Sequence, residues 1–219
     1  MSFTEVYNLL NLLSPGILFL GIILGIYTYR NLDIIHRGIT VYLIIMLLVD
    51  MTGRVFEYLY GNNLFILLIY SLIEVTMFTY FYFKYIFQRL HYIALVFSSI
   101  GIIYICWEIV KFKNNIVDFQ PYSKVVDNAV IIYLSLTFLY EKIIEFKQFR
   151  FQEFYIQLAV LIFFTVNSII FLPLNFILNQ TAGKYFWQLI LLITVIFYSY
   201  LTYSIWQNAR QNKLKTKRS

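Results

Sequence analysis

Six ionisable side chains, Asp50, Arg54, Glu57, Glu74, Glu108 and Asp127, stand within stretches that are otherwise strongly apolar. A charge at the centre of a bilayer costs a few kcal/mol on insertion scales. Such groups therefore face a bundle interior, pair with one another, or serve an ion, proton or ligand. Asp50, Arg54 and Glu57 recur at i, i+4 and i+7. At 100° per residue they share one narrow helix face, so Arg54 can pair with either acid. Tyr70 and Ser71 stand one turn before Glu74 on its side, and Ser123 stands one turn before Asp127. Asn167 and Gln188 add uncharged hydrogen-bonding groups in two further apolar stretches.

Five acids against one arginine leave four negative charges if all are ionised, which a low-dielectric site does not sustain. Some are then protonated, some pair with Lys111, Lys113, Lys124 or Lys184, or a cation binds. Three readings stand. The groups form a structural network, each interhelical bridge worth about 1 kcal/mol. They line a site for a ligand or ion. Or two carboxylates in different environments act as general acid and base.

Other chemistries lack their residues. A retinal Schiff base needs a lysine in the middle of the last span, where only Lys184 at its edge is available. Histidine-rich metal sites need more than His36 and His91, which fall at span boundaries. No metal and no cofactor is expected. A serine nucleophile needs a histidine base near a buried serine, and the sequence offers no such pair. No Gly-Xaa-Gly-Asp motif marks an aspartyl intramembrane protease. Cys106, the single cysteine, has no histidine partner and is expected to pack as a small apolar residue. Asn179-Gln180-Thr181 matches a glycosylation sequon close to a span end.

The elements that position these groups follow from composition. The chain has 219 residues, 61% hydrophobic and 13% charged, with mean hydropathy +0.73. Soluble domains sit nearer 45–50% apolar and about 25% charged, and disordered chains are poor in aromatics. An integral membrane protein remains. A spanning helix needs about 20 apolar residues, and seven stretches supply them: 9–29, 39–60, 64–86, 92–110, 122–144, 154–178 and 185–206. Continuously apolar runs such as Ile17–Tyr29 lack the alternation of barrel strands. The expected fold is all-α, a bundle of seven transmembrane helices over residues 1–208 with a basic tail at 209–219. Tyr60-Gly61-Asn62-Asn63 reads as a tight turn, and Pro173 as a kink in the sixth span.

Lysine and arginine gather on the cytoplasmic side. With the N-terminus outside, inner segments hold 12 basic residues and outer ones 4. The inner set includes Arg30, Arg37, Lys84, Arg89, Lys142, Lys147, Arg150, Arg210, Lys213, Lys215, Lys217 and Arg218. The N-terminus is therefore expected outside and the C-terminus inside. The net charge of +6 reflects this bias, so membrane lipids, and not nucleic acid, are the expected partner of the tail. A cytoplasmic signalling protein is the other candidate. In this orientation Arg54, Glu57, Glu108 and Asp127 fall in the outer half, with Asp50 and Glu74 near the midplane. A polar cavity opening outward is expected.

Leu47-Leu48-Val49-Asp50, Ile69-Tyr70-Ser71-Leu72-Ile73-Glu74, Tyr122-Ser123-Lys124-Val125-Val126-Asp127 and the closing Phe186-Trp187 to Trp206 span together resemble a family of small uncharacterised seven-helix inner-membrane proteins of Bacteroidetes-type bacteria. That family usually carries Glu at the position of Asp127. The resemblance implies a bacterial inner membrane and a sensory or signalling-linked role, with no catalytic residues to carry over. Leu48-Val49-Asp50 also resembles the second-span motif of YhhN-type lysoplasmalogenases, with Val49 in place of that motif's glycine. The expectation is a receptor-like or sensor-like protein whose cavity for a small ligand or ion is lined by Asp50, Arg54, Glu57, Tyr70, Glu74, Glu108, Asp127, Asn167 and Gln188. The alternatives are an intramembrane lipid hydrolase using paired carboxylates and a proton-coupled transporter. A transporter is less expected without a visible repeat or a Gly/Pro-broken helix pair.

Overall fold

The computed structural model describes residues 3–61, 63–112, 122–144, 151–177 and 181–216. They form seven helices: α1 (Phe3–Thr28), α2 (Ile34–Tyr60), α3 (Leu64–Phe81), α4 (Tyr92–Phe112), α5 (Tyr122–Ile144), α6 (Phe151–Ile177) and α7 (Thr181–Thr216). A 3-10 turn, Tyr29–Asn31, follows α1, and one π-helical turn, Tyr82–Ile86, continues α3. No strand occurs among the described residues. All seven helices are long and apolar enough to cross a membrane. The chain is a multi-pass all-α membrane protein, as its composition requires.

The expected spans fall on these helices, and that of α5 has the same bounds. α1 and α7 run further, to Phe3 and to Thr216. Hydropathy ends where the membrane ends, whereas backbone hydrogen bonding continues into the polar region. At about 1.5 Å per residue, the 36 residues of α7 extend about 54 Å, well beyond a hydrocarbon core of about 30 Å. Gly61 adopts φ +68° at the expected turn, a conformation that favours glycine. Pro173 lies inside α6. Lys113, Lys147, Arg150, Asn179, Gln180, Lys217 and Arg218 lie outside the described residues.

Two compact units divide the chain: Met1–Asp50 with Lys184–Ser219, and Met51–Gly183. In the first, α1 approaches its neighbours through glycine. A Cβ at Gly25 would stand 2.5 Å from Thr40 of α2, and one at Gly21 would stand 2.5 Å from Thr202 of α7. Leu18, Leu43, Leu201 and Ile205 fill the core beside them.

In the second unit α5 packs against α3, α4 and α6. Its membrane-spanning stretch is the least apolar of the seven and the most buried. That inversion has a physical cause. Lipid solvates apolar side chains as well as a protein core does, so the polar helix takes the interior and the apolar ones face outward. Large apolar side chains such as Ile93, Ile103 and Ile169 are accordingly exposed. Cys106 is exposed as well, which corrects the expectation that it packs inside. Gly101 of α4 lets α5 approach, since a Cβ there would stand 2.6 Å from Cγ2 of Val130. Val130 is buried and β-branched, with little rotamer freedom to move aside. Gly101→Ala should therefore cost about 1–3 kcal/mol, read as a lowered unfolding midpoint in detergent micelles.

Candidate functional site

The second unit buries a lysine between two carboxylates. Lys124, at the start of α5, is 2% exposed, and Glu74 of α3 and Asp127 of α5 are 0% exposed. The Lys124 ammonium donates to Oε2 of Glu74 and, at 2.5 Å, to Oδ2 of Asp127. The Tyr70 hydroxyl donates to Oε1 of Glu74 at 2.9 Å. The ammonium also lies 4.2 Å from the centre of the Tyr70 ring and 5.7 Å from that of Phe164 on α6. Both rings present the negative face that attracts a cation. Helical spacing produces this geometry: Tyr70 and Glu74 are i, i+4 on α3, and Lys124 and Asp127 are i, i+3 on α5.

Polar capacity left over surrounds the triad. Among the described residues, Oδ1 of Asp127, both amide atoms of Asn128 and Oδ1 of Asn167 are buried with no hydrogen-bond partner. Glu108 at the end of α4 faces Ser123 in the first turn of α5, and Asn167 lies one turn along α6 from Phe164. Three carboxylate or amide oxygens are thus unpaired against one amide nitrogen. Buried polar groups are ordinarily satisfied, and this cluster has acceptors to spare.

Of the expected site residues, Tyr70, Glu74 and Asp127 come together, and Glu108 and Asn167 are buried in the same unit. Lys124, expected only as one of four lysines that could pair with the acids, is at the centre. Glu57 is exposed at the end of α2, where its Oε2 accepts from Nδ2 of Asn63 at 3.3 Å. Arg54 is half-buried in this unit, and Asp50 and Gln188, also half-buried, belong to the other. No group of three or more His, Cys, Asp or Glu side chains arranged for a metal ion occurs among the described residues.

Further along the second unit, the buried Tyr82 hydroxyl meets Oγ of Ser135 at 2.7 Å and donates to Gln157 of α6. Beyond it Glu141 accepts from the Gln88 backbone at 3.3 Å and pairs with Nε2 of His91 at 3.4 Å. A cavity of 540 Å³ lies at this end of α4 and α5, lined by His91, Tyr92, Tyr133, Thr137 and Tyr140 among others.

The first unit holds a second cluster, which sequence reasoning missed. Asp33 precedes α2 and caps it, Oδ1 accepting the backbone N–H of His36 at 3.0 Å. The same oxygen meets Nδ1 of His36 at 2.7 Å. The other ring nitrogen, Nε2, lies 3.0 Å from Oγ of Ser204 on α7. Asn208, one turn along α7, donates to Oδ2 of Asp33 at 2.8 Å and accepts the Asp33 backbone N–H at 3.2 Å. His36 is 0% exposed and Ser204 6%. The expectation that no histidine stands near a buried serine is therefore corrected. The capping pattern Asp33-Xaa-Xaa-His36 was available in the sequence, but Ser204 lies 168 residues from its partner.

Burial pushes the Asp33 carboxyl up, and the hydrogen bonds from the His36 ring and backbone outweigh it, with help from the imidazole's charge when it is protonated and from Asn208. They hold it at about 2, below the ordinary 3.8. A depressed carboxyl pKa stabilises the fold fully above the ordinary value and stops doing so as pH falls through the folded one. The stability difference between the wild type and Asp33→Asn should thus shrink as pH falls from about 4 towards 2. Unfolding midpoints of both proteins in detergent across that range check this.

No protein-family model, no curated protein and no solved structure matches the chain.

Proposed function

We propose that this is a sensor-like protein of a bacterial inner membrane, N-terminus outside, whose buried cluster around Lys124 binds a small cationic ligand. The observation that carries the reading is the unpaired polar capacity around the triad, acceptors above all. With both ionised, two carboxylates against one ammonium carry a net negative charge even before Glu108 is counted. A hydrogen-bond-donating cation, such as a primary ammonium, satisfies both the charge and the unpaired oxygens. An anion would meet neither need.

A partner would meet the basic end of α7. Beyond Trp206 this helix continues with Arg210 and Lys213, and the Arg210 guanidinium lies 5.5 Å from the Trp206 ring. Such an aromatic and basic pair suits the membrane interface. The helix end past it would be offered to anionic headgroups or to a cytoplasmic partner.

Proton-coupled transport draws support from the same charge count, because a proton cancels the surplus charge as a cation does. Thermal unfolding in lipid nanodiscs separates the two. At constant ionic strength, methylammonium should stabilise the protein saturably, by about 2.7 kcal/mol at 100 times Kd. Asp127→Asn should remove the effect. If no cation stabilises the protein and proteoliposomes instead show proton uptake that Asp127→Asn abolishes, the transport reading replaces the sensor. If neither occurs, both fail.

A further inference from the structure

The Asp33–His36–Ser204 chain is independent of the Lys124 cluster and has an order of its own: carboxylate, imidazole, hydroxyl. Asp33 is ionised at neutral pH, so Nδ1 of His36, at 2.7 Å from it, carries a proton. In the neutral imidazole Nε2 is then the lone-pair nitrogen, and the hydroxyl of Ser204, at 3.0 Å, donates to it. This is the arrangement by which a general base activates a serine.

The depth of the cluster names the substrate class. Asp33 lies between two spanning segments, which end at Asn31 and begin at Ile34. Nearby stand Trp206 with Arg210, and Tyr29 with the Arg37 guanidinium 5.1 Å from its ring. Aromatic and basic side chains of this kind mark the membrane–water interface, the band in which ester linkages join acyl chains to lipid headgroups.

We propose that Ser204 is a nucleophile that takes acyl groups from carboxylic esters of membrane amphiphiles, with His36 as its general base and Asp33 as a positioning residue. Oγ of Ser204 attacks the ester carbonyl carbon while its proton passes to Nε2 of His36. The bond from that carbon to the alcohol oxygen breaks, the departing alcohol takes the proton from Nε2, and Ser204 is left acylated. Water, deprotonated by the same nitrogen, releases the acid and restores the serine. No redox partner is required.

The backbone amides around Ser204 are spent on α7, and the Asn208 amide is spent on Asp33. No preformed donor pair awaits an oxyanion, which elsewhere supplies about 10²–10³ in rate. Acylation is therefore expected to be slow and to reach one equivalent rather than to turn over rapidly.

The test is labelling of the full chain in nanodiscs with an alkyl fluorophosphonate, mapped by peptide mass spectrometry. The expected result is one adduct on Ser204, absent in Ser204→Ala. His36→Gln should label at least tenfold more slowly, and Asp33→Asn more slowly than wild type, with Asp33→Glu recovering part of the rate. A p-nitrophenyl acyl ester should release about one equivalent of p-nitrophenolate per chain. An unlabelled Ser204 in the folded wild type overturns the proposal, and so does equal labelling of a folded His36→Gln. If His36→Gln does not fold, the Asp33→Asn and Asp33→Glu pair decides: rates equal to wild type in both overturn it.

Discussion

Lys124→Met should destabilise the protein by about 3–5 kcal/mol, because removing one partner of a buried ion pair leaves uncompensated charge. Glu74 and Asp127 are both fully buried against that ammonium, and without it two carboxylates face each other inside the bundle. The loss should come from charge rather than from packing. Methionine keeps most of the lysine stem, and what it removes is the ammonium with its two carboxylate partners and its place over the Tyr70 and Phe164 rings. Adding Glu74→Gln and Asp127→Asn to Lys124→Met should therefore restore most of the stability, since replacing a whole buried ionic group is often neutral. Unfolding in a mild detergent series reads both effects. A Lys124→Met protein as stable as wild type would mean that the triad is not the charged contact described above.

Asn128→Leu should act in the opposite direction and stabilise the protein by about 1–3 kcal/mol. Both amide atoms of Asn128 are buried without a partner among the described residues, and an unsatisfied buried polar group carries a desolvation cost of that order. Leucine is close to asparagine in shape and has no such need. The same substitution should weaken cation binding more than tenfold. A gain in stability coupled to a loss of binding is the signature of a residue kept for function. A residue that merely glues helices together would lose stability when replaced.

The seven spans were legible because each is a long apolar run, and α5 was bounded to the residue. The ends of α1 and α7 were not, since nothing in their hydropathy marks helix that continues outside the membrane. Tyr70, Glu74 and Asp127 were legible as a site from their depth and their helix faces. Lys124 was not. Its place near the start of a span reads as a rim position, and its burial depends on how α3, α4 and α6 surround α5. The face shared by Asp50, Arg54 and Glu57 was also read from spacing, yet Glu57 is exposed because α2 ends only three residues later, at Tyr60. For Asp33 and His36 the local pattern announces a helix cap. The serine they meet comes from α7, and no local signal in the sequence joins the two.

Binding of methylammonium to the wild type and to Asn128→Leu, measured side by side by isothermal titration calorimetry in nanodiscs, tests the central claim most directly. Saturable binding of one equivalent to the wild type, weakened more than tenfold in an Asn128→Leu protein of equal or greater stability, is the expected result. No saturable binding to the wild type, together with a less stable Asn128→Leu, would contradict it and make the cluster a structural bridge between helices.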